Sequence, residues 1–274
     1  MNVARTALRL GGSATALVAV GGVTGDRLLA LLAAEAVPTV PVRVSGETRQ
    51  SFAVTDEATG AQYRFGVPGQ PMTARDASTL IDAIDQHCAA GGFLVLSGSI
   101  TPGLPDDYPA QIIAATLHKS PKVIVDTSRA ALNHLIAQPT APVHLLRVDQ
   151  KEAAEAASHP MHTIADSVAF AADLVARGVA RTVVTGRGAE GSVLVSEDQR
   201  LICHPPTVAI ASKIGAGDAF VGSMTLAMAR GMDRSQALQW GVAAASATVS
   251  TEGTALCDAD TTGDRYAQSR IEVL

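Results

Sequence analysis

From Thr73 onward, short apolar runs alternate with longer helical patterns, and this rhythm narrows the choice of fold more than any other feature. Helical patterns cover 74–88, 106–117, 129–136, 150–157 and 164–177, with strand-like runs at 93–97, 123–126, 143–146, 182–185, 192–195 and 201–204. Two further helices are expected at 217–229 and 234–249, and a third near the C-terminus. Strands of four or five apolar residues between helices predict an α/β fold, a mostly parallel central sheet covered by helices on both faces. In such sheets ligands bind beyond the carboxyl ends of the strands. The loops after Ser97, Asp126, Leu146, Thr185 and His204 are therefore where chemistry is expected.

The first third of the chain departs from this rhythm. It reads as a helix (2–10), a buried strand (16–20), a helix (26–36) and strand-like stretches at 39–44, 51–56 and 62–66. The last two flank the turn signal Glu57-Ala58-Thr59-Gly60 and predict a hairpin. Residues 39–66 thus form a small β appendage on a single domain spanning 1–274, not a second domain. Residues 1–20 imitate a signal peptide, with two arginines before an apolar stretch, but 14–20 is short and no cleavage site follows. No run approaches the roughly 20 apolar residues of a membrane span. The expectation is a cytoplasmic protein with no membrane partner.

Composition excludes other classes. The net charge is −5 and no Lys/Arg run exists, which disfavours a nucleic-acid binder held by phosphate contacts while leaving room for one basic pocket. Aromatic residues make up only 3% and glycines number 24, so the core is tiled with small side chains and closely approaching helices. Cys88, Cys203 and Cys257 form no CxxC pair and read as small hydrophobes in a reducing compartment. His159 and His162 are separated by Pro160, which disfavours presenting both rings on one helical face to a metal.

The segment with the strongest chemical content is Ser212-Lys213-Ile214-Gly215-Ala216-Gly217-Asp218-Ala219-Phe220. Glycines let the backbone approach a ligand, and free amides at a helix start form an anion site. That suits the charge on a phosphoryl group in transfer, which needs positioning and electrostatics more than a strong base. Asp218, in the first turn where negative charge is favoured, can accept the proton of an attacking hydroxyl. Taken alone, so short a motif is equally a glycine-rich loop before an ordinary acid-capped helix. Other residues have plain readings too. Arg49 reads as a surface charge, and Gly186, Gly188 and Gly191 as a strand-to-strand turn. Asp149 and Glu152 have the spacing of an N-cap and its capping-box partner.

The stretch from Ser212 to Met224 resembles the second signature of the ribokinase-like (PfkB) carbohydrate kinases. Asn2-Val3-Ala4-Arg5 with Gly11-Gly12-Ser13 is similar to the part just after that family's glycine-rich substrate loop. Gly21-Gly22-Val23-Thr24-Gly25-Asp26, Thr48-Arg49-Gln50, Gln62-Tyr63-Arg64-Phe65 and Ser97-Gly98-Ser99-Ile100-Thr101-Pro102-Gly103 look like its phosphosugar-kinase branch. The segment 241–248, followed by Gly253-Thr254 and Leu256-Cys257, is especially close to the 6-phosphofructokinases of that branch. The resemblance covers essentially the whole chain in order.

This resemblance implies a ribokinase-like fold with a β-lid, and transfer of the ATP γ-phosphoryl to the C1 hydroxyl of fructose 6-phosphate. 1-Phosphofructokinase and tagatose-6-phosphate kinase are alternatives, and a catalytically impaired relic that still binds nucleotide or sugar phosphate is the alternative of another class. Asp218 resembles the catalytic base, and Gly215, Ala216 and Gly217 the anion hole. Asn2 and Ser99 match residues that hold the sugar, and Arg49 the arginine that grips its phosphate, a role suited to a forked guanidinium. Arg147, Thr185, Gly186, Gly188, Gly191 and Ser246 fall at nucleotide-binding positions. Asp149 and Glu152 fall at positions of the hydrated Mg²⁺ network, and Ser212, Ile214 and Thr248 at a monovalent-cation (K⁺) site. A homodimer paired through the lid sheet is implied only where that sheet is complete.

Three departures accompany the resemblance. The family's Lys-Pro-Asn is here Arg147-Val148-Asp149, which keeps the cation but replaces an amide with a carboxylate. The loop near Gly186-Arg187 carries one extra residue. The chain also begins inside the glycine-rich loop, and a first strand, a substrate-orienting aspartate and lid strands would occupy roughly 40 residues before Asn2. A start site lying upstream of Met1 is the expectation; the alternative is a real truncation that leaves an edge of the central sheet unpaired and the lid incomplete.

Overall fold

The computed structural model describes the whole chain except Glu57 and Gly60, and of Arg64 the backbone alone. Its centre is a seven-stranded sheet whose strands lie side by side in strict chain sequence. Strands β5 (Phe93–Ser97), β6 (Lys122–Asp126), β7 (Leu145–Asp149) and β8 (Thr182–Gly186) run parallel. Their side chains alternate between two cores. Val123, Val125, Leu146 and Val183 pack under α4 (Tyr108–Thr116), α5 (Arg129–Ala137), α6 (Gln150–Ala157) and α7 (Ile164–Ala176). Ile124, Leu145 and Val184 face α8 (Ala216–Ala229) and α9 (Arg234–Val249) on the other side. Strands buried on both faces have no polar alternation, which is why they read as continuous apolar runs.

The sheet is mixed rather than mostly parallel. Beyond β8, strands β9 (Ser192–Ser196), β10 (Arg200–His204) and β11 (Arg270–Val273) are all antiparallel to their neighbours. The connections 187–191 and 197–199 are too short for the crossover that a parallel pair requires. Strand β11 follows the expected C-terminal helix, α10 (Ala259–Gln268), and was not foreseen, since Arg270-Ile271-Glu272-Val273 shows no apolar run. Strand β7 also begins two residues later than the apolar pattern suggests, with Val143 making only an isolated bridge to Ala180.

The N-terminal third lies beside this body. Helix α1 (Asn2–Arg9) precedes β1 (Ala16–Val20), which pairs in parallel with β2 (Thr39–Arg43) as a separate two-stranded sheet. Between them, α2 (Gly22–Ala34) starts a turn earlier than the sequence indicates. The backbone N–H of Thr24 donates to Glu47 Oε1 at 2.7 Å, a cap supplied from a distant loop. The predicted hairpin is β3 (Ser51–Thr55) with β4 (Gln62–Gly66), an antiparallel ribbon outside both sheets. Ala58 and Thr59 make its turn, while Glu57 and Gly60 lie outside the described residues. Helix α3 (Ala74–His87) then leads to β5. Among the described residues, no helix is long and apolar enough to cross a membrane.

Candidate active site

Helix α8 starts at a residue that only glycine occupies comfortably. Gly215 is in the left-handed region (φ +81°), and a Cβ there would lie 2.8 Å from Leu256 Cδ2. Among the described residues no side chain caps the first amides of α8, which leaves them open to an anion. Asp218 sits in that first turn, where two distant residues hold it. Asn2 Nδ2 donates to Oδ2 at 3.0 Å and the Ser97 hydroxyl to Oδ1 at 3.0 Å. Asn2 is itself oriented, since Arg5 donates to its Oδ1 at 2.9 Å and is forked onto Glu35 at 2.8 and 2.6 Å. Helix α1 can lie this close to α8 because Gly222 faces it, and a Cβ there would be 2.7 Å from the Val3 carbonyl.

Arg147 lies on the α8 side of β7, largely buried, and donates to Asp126 Oδ1 at 3.2 Å. Its guanidinium fills the space between two glycines. A Cβ on Gly186 or on Gly217 would come within 3.2 Å of it. One cation therefore touches both the glycine loop after β8 and the start of α8. Burial pushes the Asp126 carboxyl up; Arg147 opposes this and the nearby Asp218 and Asp149 add to it. Burial also raises Glu152 above the ordinary carboxylate range.

Asp149 and Glu152 form the capping box their spacing suggests. The Asp149 side chain accepts from Glu152 N–H, and Glu152 accepts from Asp149 N–H, each at 2.8 Å. Each carboxylate commits one oxygen to this box and keeps the other. Among the described residues, no three His, Cys, Asp or Glu side chains converge to cage an ion. Such a donor set fits Mg²⁺ that retains its waters and arrives on nucleotide phosphates, not a dehydrated ion.

A second cluster flanks α8. The Ser212 hydroxyl donates to the Gly253 carbonyl at 2.7 Å and accepts from Ile214 N–H at 3.2 Å. Thr248 Oγ1 accepts from Cys257 N–H at 3.2 Å, so the segments around 212–214, 248–253 and 257 are drawn together. Gln62 of the ribbon reaches the Ser212 hydroxyl at 3.4 Å.

Other expected site residues stand apart. Arg49 is exposed beside Gly69 and, among the described residues, enters no ion pair. Ser99 is exposed, and it is its neighbour Ser97 that reaches Asp218. Thr185 shares the face of Val183, buried toward α7, and among the described residues its hydroxyl has no partner. Ser246 is buried in α9, its carbonyl accepting from Ser250. Gly188 and Gly191 both take positive φ in the β8–β9 loop. Ser97, Asp126 and Arg187 were not singled out from sequence. The first two end strands β5 and β6, where the rule about carboxyl ends points without naming a side chain. Cys203 and Cys257 are buried, and burial pushes the Cys203 thiol up to about 12.

This geometry has relatives. The model of the pfkB family of carbohydrate kinases matches residues 1–262. The chain is 36% identical over 267 residues to the ATP-dependent 6-phosphofructokinase isozyme 2 of Escherichia coli, covering 97% of this chain and 85% of that one. It is 35% identical over 262 residues to the isozyme 2 of Mycobacterium tuberculosis, covering 95% and 76%. The crystal structure of Escherichia coli phosphofructokinase-2 in complex with potassium superposes with a TM-score of 0.92 over 97% of this chain and 85% of that one. An aspartate at the open start of α8, an α/β body of this topology and these likenesses agree, and the chain belongs to the pfkB family of carbohydrate kinases.

Proposed function

We propose that the protein is a sugar-phosphate kinase that transfers the ATP γ-phosphoryl to the C1 hydroxyl of fructose 6-phosphate, giving fructose 1,6-bisphosphate. The observation that carries this reading is the Asp218 carboxylate in the first turn of α8, held between Asn2 and Ser97 beside uncapped amides. A carboxylate there accepts the proton of the attacking hydroxyl as the new P–O bond forms. The amides of Ala216 and Gly217, with the Arg147 guanidinium at 3.2 Å from the Gly217 Cβ position, face the charge that develops on the transferring group. Asn2 orients the sugar and Arg49 grips its phosphate. Asp149 and Glu152 would meet, through water, a Mg²⁺ brought in by ATP, which would neutralise phosphate charge. Ser212, Ile214 and Thr248 would hold a monovalent cation, which would steady the loop before α8.

We place this reaction in the cytoplasm, where ATP is available. We also propose that a second copy of the chain covers the outer face of the β3–β4 ribbon. Phe52, Val54, Tyr63 and Phe65 form a continuous apolar stripe there, each more than half exposed.

The test is ADP release with fructose 6-phosphate, fructose 1-phosphate and tagatose 6-phosphate, for the wild type and Asp218→Asn. Fructose 6-phosphate is expected to be preferred, with kcat falling about 10³-fold in the variant and both KM values little changed. Preference for another of these sugars would replace the substrate assigned here. ATP binding without turnover of any sugar would point instead to a binding module.

A further inference from the structure

Arg187 lies in the loop between β8 and β9, yet its side chain is completely withdrawn from solvent. A guanidinium has five N–H donors, and four of them make hydrogen bonds here. Nε donates to Glu190 Oε2 at 2.8 Å, and Nη2 pairs with the same carboxylate oxygen at 2.7 Å. Nη1 donates to the Ser167 hydroxyl at 2.7 Å and the Met161 carbonyl at 3.2 Å, and Nη2 to the His162 carbonyl at 3.0 Å. Its charged partner, Glu190, is largely solvent-exposed, so burying this cation is a poor way to gain stability.

What the arrangement does is tie two segments together. The Arg187 backbone N–H donates to the Gly191 carbonyl at 2.8 Å and closes its own loop. Gly191 is pinned at φ +112°, where a Cβ would fall 2.0 Å from the Cys203 carbonyl. The side chain then grips the carbonyls of residues 161 and 162 in the α6–α7 connection. Gln150, at the start of α6, donates to the same Met161 carbonyl at 2.6 Å. Above these bonds opens a cleft of about 480 Å³ lined by Asp149, Lys151, Pro160, His162, Gly186 and Gly188. That is ample for the phosphates and ribose of a nucleotide.

We propose that Arg187 is a positioning residue for ATP: by holding the 186–191 loop against residues 161 and 162, it fixes the width of the nucleotide cleft. This rests on the kinase reading only in taking ATP as the occupant. Arg187 sits beneath the cleft wall and touches no reacting atom.

The experiment compares wild type with Arg187→Met, Arg187→Lys and the milder Ser167→Ala, which removes one acceptor. The readouts are kcat, the two KM values and the Kd of Mg-ATP by calorimetry without sugar. In Arg187→Met the KM and Kd for ATP are expected to rise roughly tenfold, with the sugar-phosphate KM and kcat moving less than about threefold. Arg187→Lys should recover part of this loss, and Ser167→Ala should raise the ATP values about threefold. An ATP Kd unchanged in folded Arg187→Met, or a parallel loss of ATP and sugar affinity, overturns the assignment. If Arg187→Met does not fold, unchanged ATP values in both Arg187→Lys and Ser167→Ala overturn it equally. A wild type that binds ATP but phosphorylates no sugar removes the kinase reading, and the Kd series still decides on Arg187. A wild type that binds no nucleotide removes both.

Discussion

The start of α8 and the β3–β4 ribbon are both expected to touch substrate, yet they are built in opposite ways. Around α8, Ala219, Phe220, Val221 and Met224 are buried, and Asp218 is held by partners from two other elements. The ribbon pairs Phe52 with Phe65 and Val54 with Tyr63, and all four side chains are exposed. A two-stranded ribbon is only marginally stable by itself. Its one hydrogen bond toward the α8 loop, among the described residues, is from Gln62 to Ser212. The contrast teaches a division of labour. The Asp218 carboxylate sits on backbone held from several sides, while the ribbon proposed to lie near the sugar phosphate has few such ties.

The sharpest test of that contrast is stability. Leu238, fully buried between α9 and the sheet, should cost about 2–5 kcal/mol when cut to Ala. Phe65→Ser, at an equally large apolar side chain on the ribbon, should change monomer stability by less than about 0.5 kcal/mol. Denaturant unfolding measures both, and sedimentation of Phe65→Ser should show loss of self-association. A large destabilisation by Phe65→Ser would end the contrast.

A smaller effect concerns binding. Arg49→Ala should raise the sugar-phosphate KM by about 10- to 100-fold, leaving the ATP KM within about twofold. Equal changes in both would mean that Arg49 belongs to the rigid half of the site.

The smallest effect is a pH dependence at the ribbon's root. Asp76 accepts from the Thr73 hydroxyl at 2.7 Å and the Ser45 hydroxyl at 2.8 Å, tying α3 to the loop that leads to Arg49. The Thr73 hydroxyl, then the Thr73 amide and Ser45, hold its carboxyl down from 3.8 to about 2. A carboxyl lowered on folding stabilises above its unfolded value and loses that contribution as pH falls through the folded one. Asp76→Asn should therefore be less stable than wild type near neutrality, the gap closing between 3.8 and about 2. A constant gap across that window would show that charge plays no part.

What the sequence disclosed follows the range of each interaction. The Gly215–Asp218 loop was legible because its turn, open amides and acid are contiguous. The capping box of Asp149 and Glu152 was legible for the same reason. Ser97 was not, since it acquires its role only when β5 ends beside α8, 121 positions from Asp218. Glu47 capping α2 and Arg187 reaching the α6–α7 connection are likewise long-range pairings with no local signature. Thr185 shows the converse. Its position in a motif suggested a role, but strand alternation turns its side chain toward the core. The antiparallel half of the sheet was underestimated because an apolar strand reads the same in either direction.

The sheet and the site also differ in when they can form. Because the seven strands lie in chain order, most join a neighbour made shortly before, at little loop-closure cost. The bond between Asn2 and Asp218 spans 216 positions, so α1 must wait at the edge of the growing molecule until α8 is made. Helix α1 is among the last to dock, and the hold on Asp218 is complete only when α1 and α8, far apart in sequence, have met. Recovered activity is thus a late marker of folding in this protein, trailing the optical signals of its sheet.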